Sequence, residues 1–347
     1  MTLEKSINFF YYPKNAQHLP TVVMVEPADA CTLKCVMCDV QKYKQGPSCV
    51  MTCEQFDHIL RQFNKIRELI FCGIGEPLLN KNIIPMVRRA ENAGIPFINL
   101  ITNGELLELD NAVGLFEAGL NQLHISIPAV SEEAFRKIRN NPKVSLNELS
   151  DKIRLISKIK REKFAGAKII INIVMNKFNE AELEETVLFC KGLGADGICF
   201  VQLTTILGKN DDINLSSPGV TRLFSMISSA GKEAGIEINF LTGNEYGRCY
   251  QLWDFIMIHA DGNVSPCNGI MPNEGVKIGN IFKVSAVDIW NSPAYKSLRF
   301  KVKSGCLANC RFCESGYLIE GFNFKWFKNF YIRPIRNAIA RKIKNAF

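Results

Sequence analysis

Cys31, Cys35 and Cys38 stand in the spacing C-x3-C-x2-C directly after an apolar run at 22–25. Three thiolates on one loop are one ligand short of the closed tetrahedral set that a structural zinc requires. A cubane [4Fe–4S] cluster held by three cysteines instead leaves one iron open to a ligand that is not protein. The nearest downstream histidine, His58, falls inside a helical pattern with Phe56, Ile59, Leu60 and Phe63. Five further cysteines, Cys249, Cys267, Cys306, Cys310 and Cys313, gather late in the chain. The total of 13 is odd, which argues against complete disulfide pairing and for metal ligation in a reducing compartment.

The elements that must position these residues alternate. Strand-like runs are expected at 22–25, 69–72, 97–101, 122–127, 168–175 and 197–201. Helical patterns are expected at 52–65, 83–93, 112–118, 146–163, 181–193 and 220–234. Six such βα units predict an α/β fold with a parallel sheet, and ligands of such sheets bind at the C-terminal ends of the strands. Those ends carry Gly73-Ile74-Gly75-Glu76-Pro77, Thr102-Asn103-Gly104 and Ser126. Glycines permit close backbone approach to a ligand, and Glu76 offers charge to an ammonium group. Thr102 and Ser126 read equally as helix caps, and 73–77 also reads as a plain strand-to-helix turn.

With these residues in place the sequence resembles the radical S-adenosylmethionine (SAM) superfamily. The resemblance implies a partial (β/α)6 TIM-like barrel over 20–240, with Cys31, Cys35 and Cys38 holding a SAM-binding [4Fe–4S] cluster. It further implies SAM contacts from Met37, Gly73, Gly75, Glu76, Thr102, Asn103 and Ser126. Met37 would lie against the adenine and Glu76 toward the amino group. Ile74 departs from the glycine that many members have there. Asn172 is a weaker candidate for a ribose contact. An electron donor such as flavodoxin or ferredoxin is implied as a partner.

From 247 onward the order Cys249, a turn at Asp261-Gly262-Asn263 between two short strands, then Cys267, resembles the SPASM/twitch extension. That resemblance implies a small cysteine-rich domain over 247–318 with an auxiliary [4Fe–4S] cluster. A full two-cluster SPASM needs about seven cysteines, and only five stand here. One cluster on Cys249, Cys267, Cys310 and Cys313 is the economical assignment, with Cys306 spare or replacing Cys310. Zinc on the same ligands stays open. Cys49 and Cys53 read as two thiols near a helix start, or as a hydrogen-atom donor or redox pair. Cys72, Cys190 and Cys199 read as small core residues.

The expected activity is reductive cleavage of SAM to a 5′-deoxyadenosyl radical. That radical would take hydrogen from a peptide or small carbohydrate-like substrate for oxidation, epimerisation or cross-linking. The alternative is a non-enzymatic iron–sulfur or zinc protein, which leaves 73–77 unexplained.

Charge narrows the partners. The net charge is +8, and seven Lys or Arg with no acid follow Gly321, so the preceding body is near neutral. A nucleic-acid partner is therefore not expected. The tail at 319–347 is aromatic, then basic and amphipathic with Ile335, Ile339 and Ile343 four residues apart. It fits a C-terminal helix that packs on the body or a partner, or lies on an anionic membrane. The expected location is cytoplasmic, with the inner membrane surface open to that tail.

Overall fold

The computed structural model describes residues 16, 18–38, 47–203, 212–215, 217–241, 251–267 and 278–303. Cys249, Cys306, Cys310, Cys313 and the 319–347 tail lie outside the described residues.

Six strands follow the expected order: β1 (Val22–Val25), β2 (Glu68–Phe71), β3 (Ile98–Thr102), β4 (Gln122–Ser126), β5 (Lys168–Met175) and β6 (Gly197–Gln202). The helices after them are α1 (Cys53–Arg61), α2 (Ile83–Asn92), α3 (Leu109–Glu117), α4 (Glu132–Arg139), α5 (Leu146–Lys163), α6 (Glu185–Gly192) and α7 (Ser217–Ala234). A further strand, β7 (Glu237–Leu241), then pairs parallel with β6. The short helix α8 (Gln251–Asp254) leads into β8 (Phe255–Ile258), followed by β9 (Val264–Ser265), α9 (Ala286–Trp290) and α10 (Pro293–Lys303).

The sheet runs β7-β6-β5-β4-β3-β2-β1-β8-β9 and does not close on itself. Every pairing is parallel except β8–β9. Three strands thus extend the expected six along this sheet, β7 at one edge and β8 with β9 at the other. β8 pairs beside β1 with Val22 opposite Phe255 and Val25 opposite Ile258, so the second cysteine region grows out of the main sheet. Asp254, just before β8, accepts from Thr21 N at 2.9 Å and Thr21 Oγ1 at 2.7 Å, which fixes that register.

One face of the sheet is the core. Val23, Val25, Leu69, Phe71, Leu100, Leu123, Ile125, Ile171 and Phe200 are fully buried there with helix residues such as Phe56, Met86 and Ile153. Each such side chain contributes about 1.5–3 kcal/mol on leaving water. The alternate residues face the other way, and there the character divides. Met24, Phe255 and Met257 form an apolar group with Ile70 and Cys72. Beyond it come Glu68 with Asn99 (2.9 Å), and His124 between Gln122 (2.9 Å) and Asn172 (3.0 Å).

Beyond β9, Arg299 is 1% exposed. Its guanidinium stacks on Trp290 at 4.4 Å and Tyr295 at 4.6 Å, while Nε donates to Leu252 O at 2.9 Å. Trp290 Nε1 donates to His18 O at 2.7 Å, which ties α9 to the chain before β1.

Burial raises the Glu68 carboxyl above its usual range, with Arg67 opposing and Asp254 adding. A raised acid favours folding below its unfolded pKa, and that contribution is lost as pH rises through the folded value. Glu68→Gln is therefore expected to stabilise the protein at pH 7–8. The gain should shrink as pH falls, because wild-type Glu68 then takes up its proton more readily than an exposed carboxylate. Urea melts at pH 5 and pH 8 measure this; an equal shift at both would contradict it.

Candidate active site

Three loops meet at the C-terminal ends of β1, β2 and β3. The first runs 26–38 and carries the three cysteines. Cys38 N donates to Cys35 O at 3.0 Å, a tight turn that brings the second and third thiols around one bend. Val36 N donates to Ile138 O at 2.9 Å, hanging that turn from the end of α4. Upstream, Asp29 N donates to Cys49 O at 3.2 Å, and Cys49 N donates back to Asp29 Oδ1 at 2.9 Å.

The second loop, 73–77, lies directly on the first. Glu76 N donates to Ala30 O at 2.7 Å. The glycines here answer to the protein itself. A Cβ on Gly73 would stand 2.5 Å from the Glu26 side chain, and one on Gly75 would stand 2.1 Å from Ala28 O. Glu76 is 2% exposed. Its Oε1 accepts from Thr102 Oγ1 at 2.7 Å and Leu78 N at 3.0 Å, and Oε2 from Asn103 N at 2.7 Å. A carboxylate has about four acceptor positions, and these bonds fill three of them. Burial raises this carboxyl, and the three hydrogen bonds pull it back.

The third loop brings Asn103 to the cysteines. Its Nδ2 lies 3.5 Å from Cys31 Sγ and 3.3 Å from Thr32 Oγ1. Thr102 Oγ1 also accepts from Gly104 N at 3.0 Å, so its hydroxyl is used within the loop. Met37 packs half-buried on the core, with Asn176 Nδ2 4.0 Å from its sulfur at the end of β5. Ser126 ends β4. Asn172, opposite it on β5, is engaged by His124.

Arg139 ties the third loop to the end of β4 and was not foreseen from sequence. It is 2% exposed, and Nη2 donates to Asn103 O at 2.6 Å and Ser126 O at 2.7 Å. Its guanidinium lies over the Phe135 ring at 4.3 Å. Burial pushes the Cys35 thiol up to about 11, Arg139 opposes this, and Cys38 and Cys31 add to it. Cys35 therefore feels both neighbouring thiols, with a fixed cation to offset its charge on deprotonation. Ser131 caps α4, accepting from Ala134 N at 3.3 Å, and Glu132 and Glu133 fill its first turn. That capping pattern was the readable signal for the helix that delivers Arg139.

Among the described residues, no three His, Cys, Asp or Glu side chains are gathered as around a single metal ion. One zinc at about 2.3 Å from each sulfur would draw thiolates to about 3.8 Å apart. Three thiols leave a tetrahedral zinc one ligand short, whereas three are enough to hold a cubane with one iron open. Cys267 stands two residues after the end of β9 and packs half-buried against the core.

The radical SAM superfamily matches residues 25–190, and SPASM, an iron-sulfur cluster-binding domain, matches 249–314. The chain belongs to the radical SAM superfamily. Its first matched span ends just inside α6, so it covers the cysteine loop and both partner loops. A GTP 3',8-cyclase of Rhizobium leguminosarum bv. trifolii is 30% identical over 183 residues, 51% of this chain and 50% of that protein. The chain thus spans about half the length of this relative. An AdoMet-dependent heme synthase of Methanosarcina barkeri is 25% identical over 343 residues, 87% of this chain and 95% of that one. Among solved structures, Streptococcus suis SuiB bound to precursor peptide SuiA gives a TM-score of 0.70. It shares 18% identity, covering 90% of this chain and 74% of that one. The radical SAM and SPASM domains carry with them a SAM-binding [4Fe–4S] cluster, auxiliary iron–sulfur and SAM as cofactors.

Proposed function

We propose that this radical SAM enzyme abstracts hydrogen from a peptide substrate and directs the resulting radical to oxidation, epimerisation or cross-linking. The carrying observation is the meeting of the cysteine loop, 73–77 and Asn103 at one end of the sheet (Glu76 N to Ala30 O, 2.7 Å; Asn103 Nδ2 to Cys31 Sγ, 3.5 Å). Likeness in fold to a structure holding a precursor peptide favours the peptide class.

When bound, the cluster would supply the electron for reductive cleavage of SAM to methionine and a 5′-deoxyadenosyl radical. This chain's residues then divide the holding. Cys31, Cys35 and Cys38 would hold the SAM-binding cluster. Asn103 donates toward Cys31 sulfur, and a donor at a ligating sulfur tunes potential. Glu76 offers its remaining acceptor position to the SAM ammonium, aided by carbonyls of Gly73 and Gly75. Met37 would lie against the adenine, with Thr102 and Ser126 at the strand ends beside it. Cys249, Cys267, Cys310 and Cys313 would hold auxiliary iron. An electron donor of the flavodoxin or ferredoxin type would reduce the first cluster. Among the described residues no helix is long and apolar enough to cross a membrane. Contact of the basic tail with an anionic inner-membrane surface is part of the proposal.

A second reading, a small carbohydrate-like substrate, is favoured by the polar face of the sheet. Gln122, His124 and Asn172 form a hydrogen-bonded row below the strand ends, a lining that suits hydroxyl groups.

Anaerobic reconstitution with iron and sulfide, then dithionite and SAM, tests the enzyme reading. The expected result is 5′-deoxyadenosine from iron-loaded protein. Protein that takes zinc in place of iron and leaves SAM intact would overturn it in favour of a structural metal protein.

A further inference from the structure

Glu26 and His259 fall outside every role assigned above, yet they are among the most buried polar residues, 1% and 4% exposed. They lie 233 positions apart, at the ends of β1 and β8. The two oxygens of Glu26 serve two different parts of the molecule. Oε1 accepts from Ile74 N at 2.6 Å and Gly75 N at 3.2 Å, the loop that lies on the cysteines. Oε2 is 3.1 Å from His259 Nδ1 and accepts from Ala260 N at 3.3 Å, in the turn between β8 and β9. His259 Nε2 is in turn 2.8 Å from Ser265 Oγ. Ser265 is fully buried on β9, two residues before Cys267.

Four donors fill the acceptor positions of this carboxylate. Glu26 is thus not free to contact a ligand, and its plane fixes one loop relative to the other. Glu26 N also donates to Ile258 O at 2.8 Å, so its own backbone belongs to the β1–β8 seam. Gly73 has no room for a side chain because Glu26 occupies that space, at 2.5 Å from a built Cβ.

We propose that Glu26 and His259 are positioning residues that couple the 73–77 segment to the β8–β9 hairpin bearing Cys267. A disturbance on the hairpin side then loosens 73–77, and with it SAM. Coupling of this kind is reciprocal, so SAM binding orders the hairpin in turn. The SAM half of the claim rests on the functional reading above; the loop-to-hairpin half does not.

The test compares His259→Asn with His259→Leu in the full-length protein. Asn and Leu share the same branched skeleton of four side-chain heavy atoms, but only Asn keeps a donor where Nδ1 stood. Hydrogen exchange of peptides covering 73–77 and SAM affinity after anaerobic reconstitution are the two readouts. His259→Leu is expected to speed exchange at Ile74 and Gly75 about tenfold and to weaken SAM about tenfold. His259→Asn should stay near wild type in both. Equal behaviour of the two variants in exchange would overturn the coupling, leaving His259 a packing residue. Wild-type protein that binds no SAM would overturn the functional reading, while the exchange comparison still decides the coupling.

Discussion

Arg139→Met is expected to cost about 3 kcal/mol in stability and most of the protein's capacity to hold iron. Met keeps the length and apolar stem of the side chain, so packing on Phe135 is largely preserved. What is lost is the donor pair. Asn103 O and Ser126 O, now receiving Nη2 at 2.6 and 2.7 Å, would be left without that partner beside a buried face. Each unpaired buried carbonyl costs about 1–3 kcal/mol. The effect on iron is larger than the effect on folding because Asn103 holds Cys31 sulfur and Thr32 through its amide. Loss of the cation also leaves the Cys35 thiol less able to shed its proton. Arg139→Lys should recover part of the stability, since one ammonium cannot match the planar fork. Urea unfolding of the apo protein and iron analysis after reconstitution are the measurements. A Met variant that loads iron like wild type would remove Arg139 from the site.

Much of this arrangement could be read from the chain, and the unread part has a common cause. β1 and β5 were bounded correctly because Val, Ile and Met recur where the sheet buries one face against helices. α5 likewise announced itself by a long stripe ending in Lys160, Arg161 and Lys163. β7 escaped because Glu237-Ile238-Asn239-Phe240 presents polar residues to the open face, where Glu237 meets Lys168 at 2.9 Å. α4 escaped because its eight residues bury only Ala134, Phe135, Ile138 and Arg139, too short a stripe to stand out. Arg139 and Glu26 gain meaning only from partners that the fold brings to them. The glycines were legible as places of close approach. What approaches them from within the protein is Glu26 and the backbone of 28–30, which no periodicity could name.

Gly75→Ala carries that last point to an experiment. A methyl at this position would meet Ala28 O at 2.1 Å, Ala30 O at 2.6 Å and Asp29 C at 2.7 Å. All three are backbone atoms, so no rotamer change can relieve the contact. The segment cannot retreat freely either. Ala28 bridges to Val50, and Asp29 exchanges hydrogen bonds with Cys49 on the far side. The two loops must therefore part, which breaks the bond from Glu76 N to Ala30 O and pulls Ile74 N away from Glu26. Overpacking costs about 1–3 kcal/mol, and a lost buried hydrogen bond adds about 1 more. A destabilisation of about 3 kcal/mol is expected, with iron loading reduced further because the displaced residues lead straight into Cys31. Gly166→Ala is the matched control, since no atom lies within 4 Å of its built Cβ. That variant should stay within about 0.5 kcal/mol of wild type and load iron normally. If Gly75→Ala loads iron as Gly166→Ala does, the contact between 73–77 and the cysteine loop does not govern the metal site.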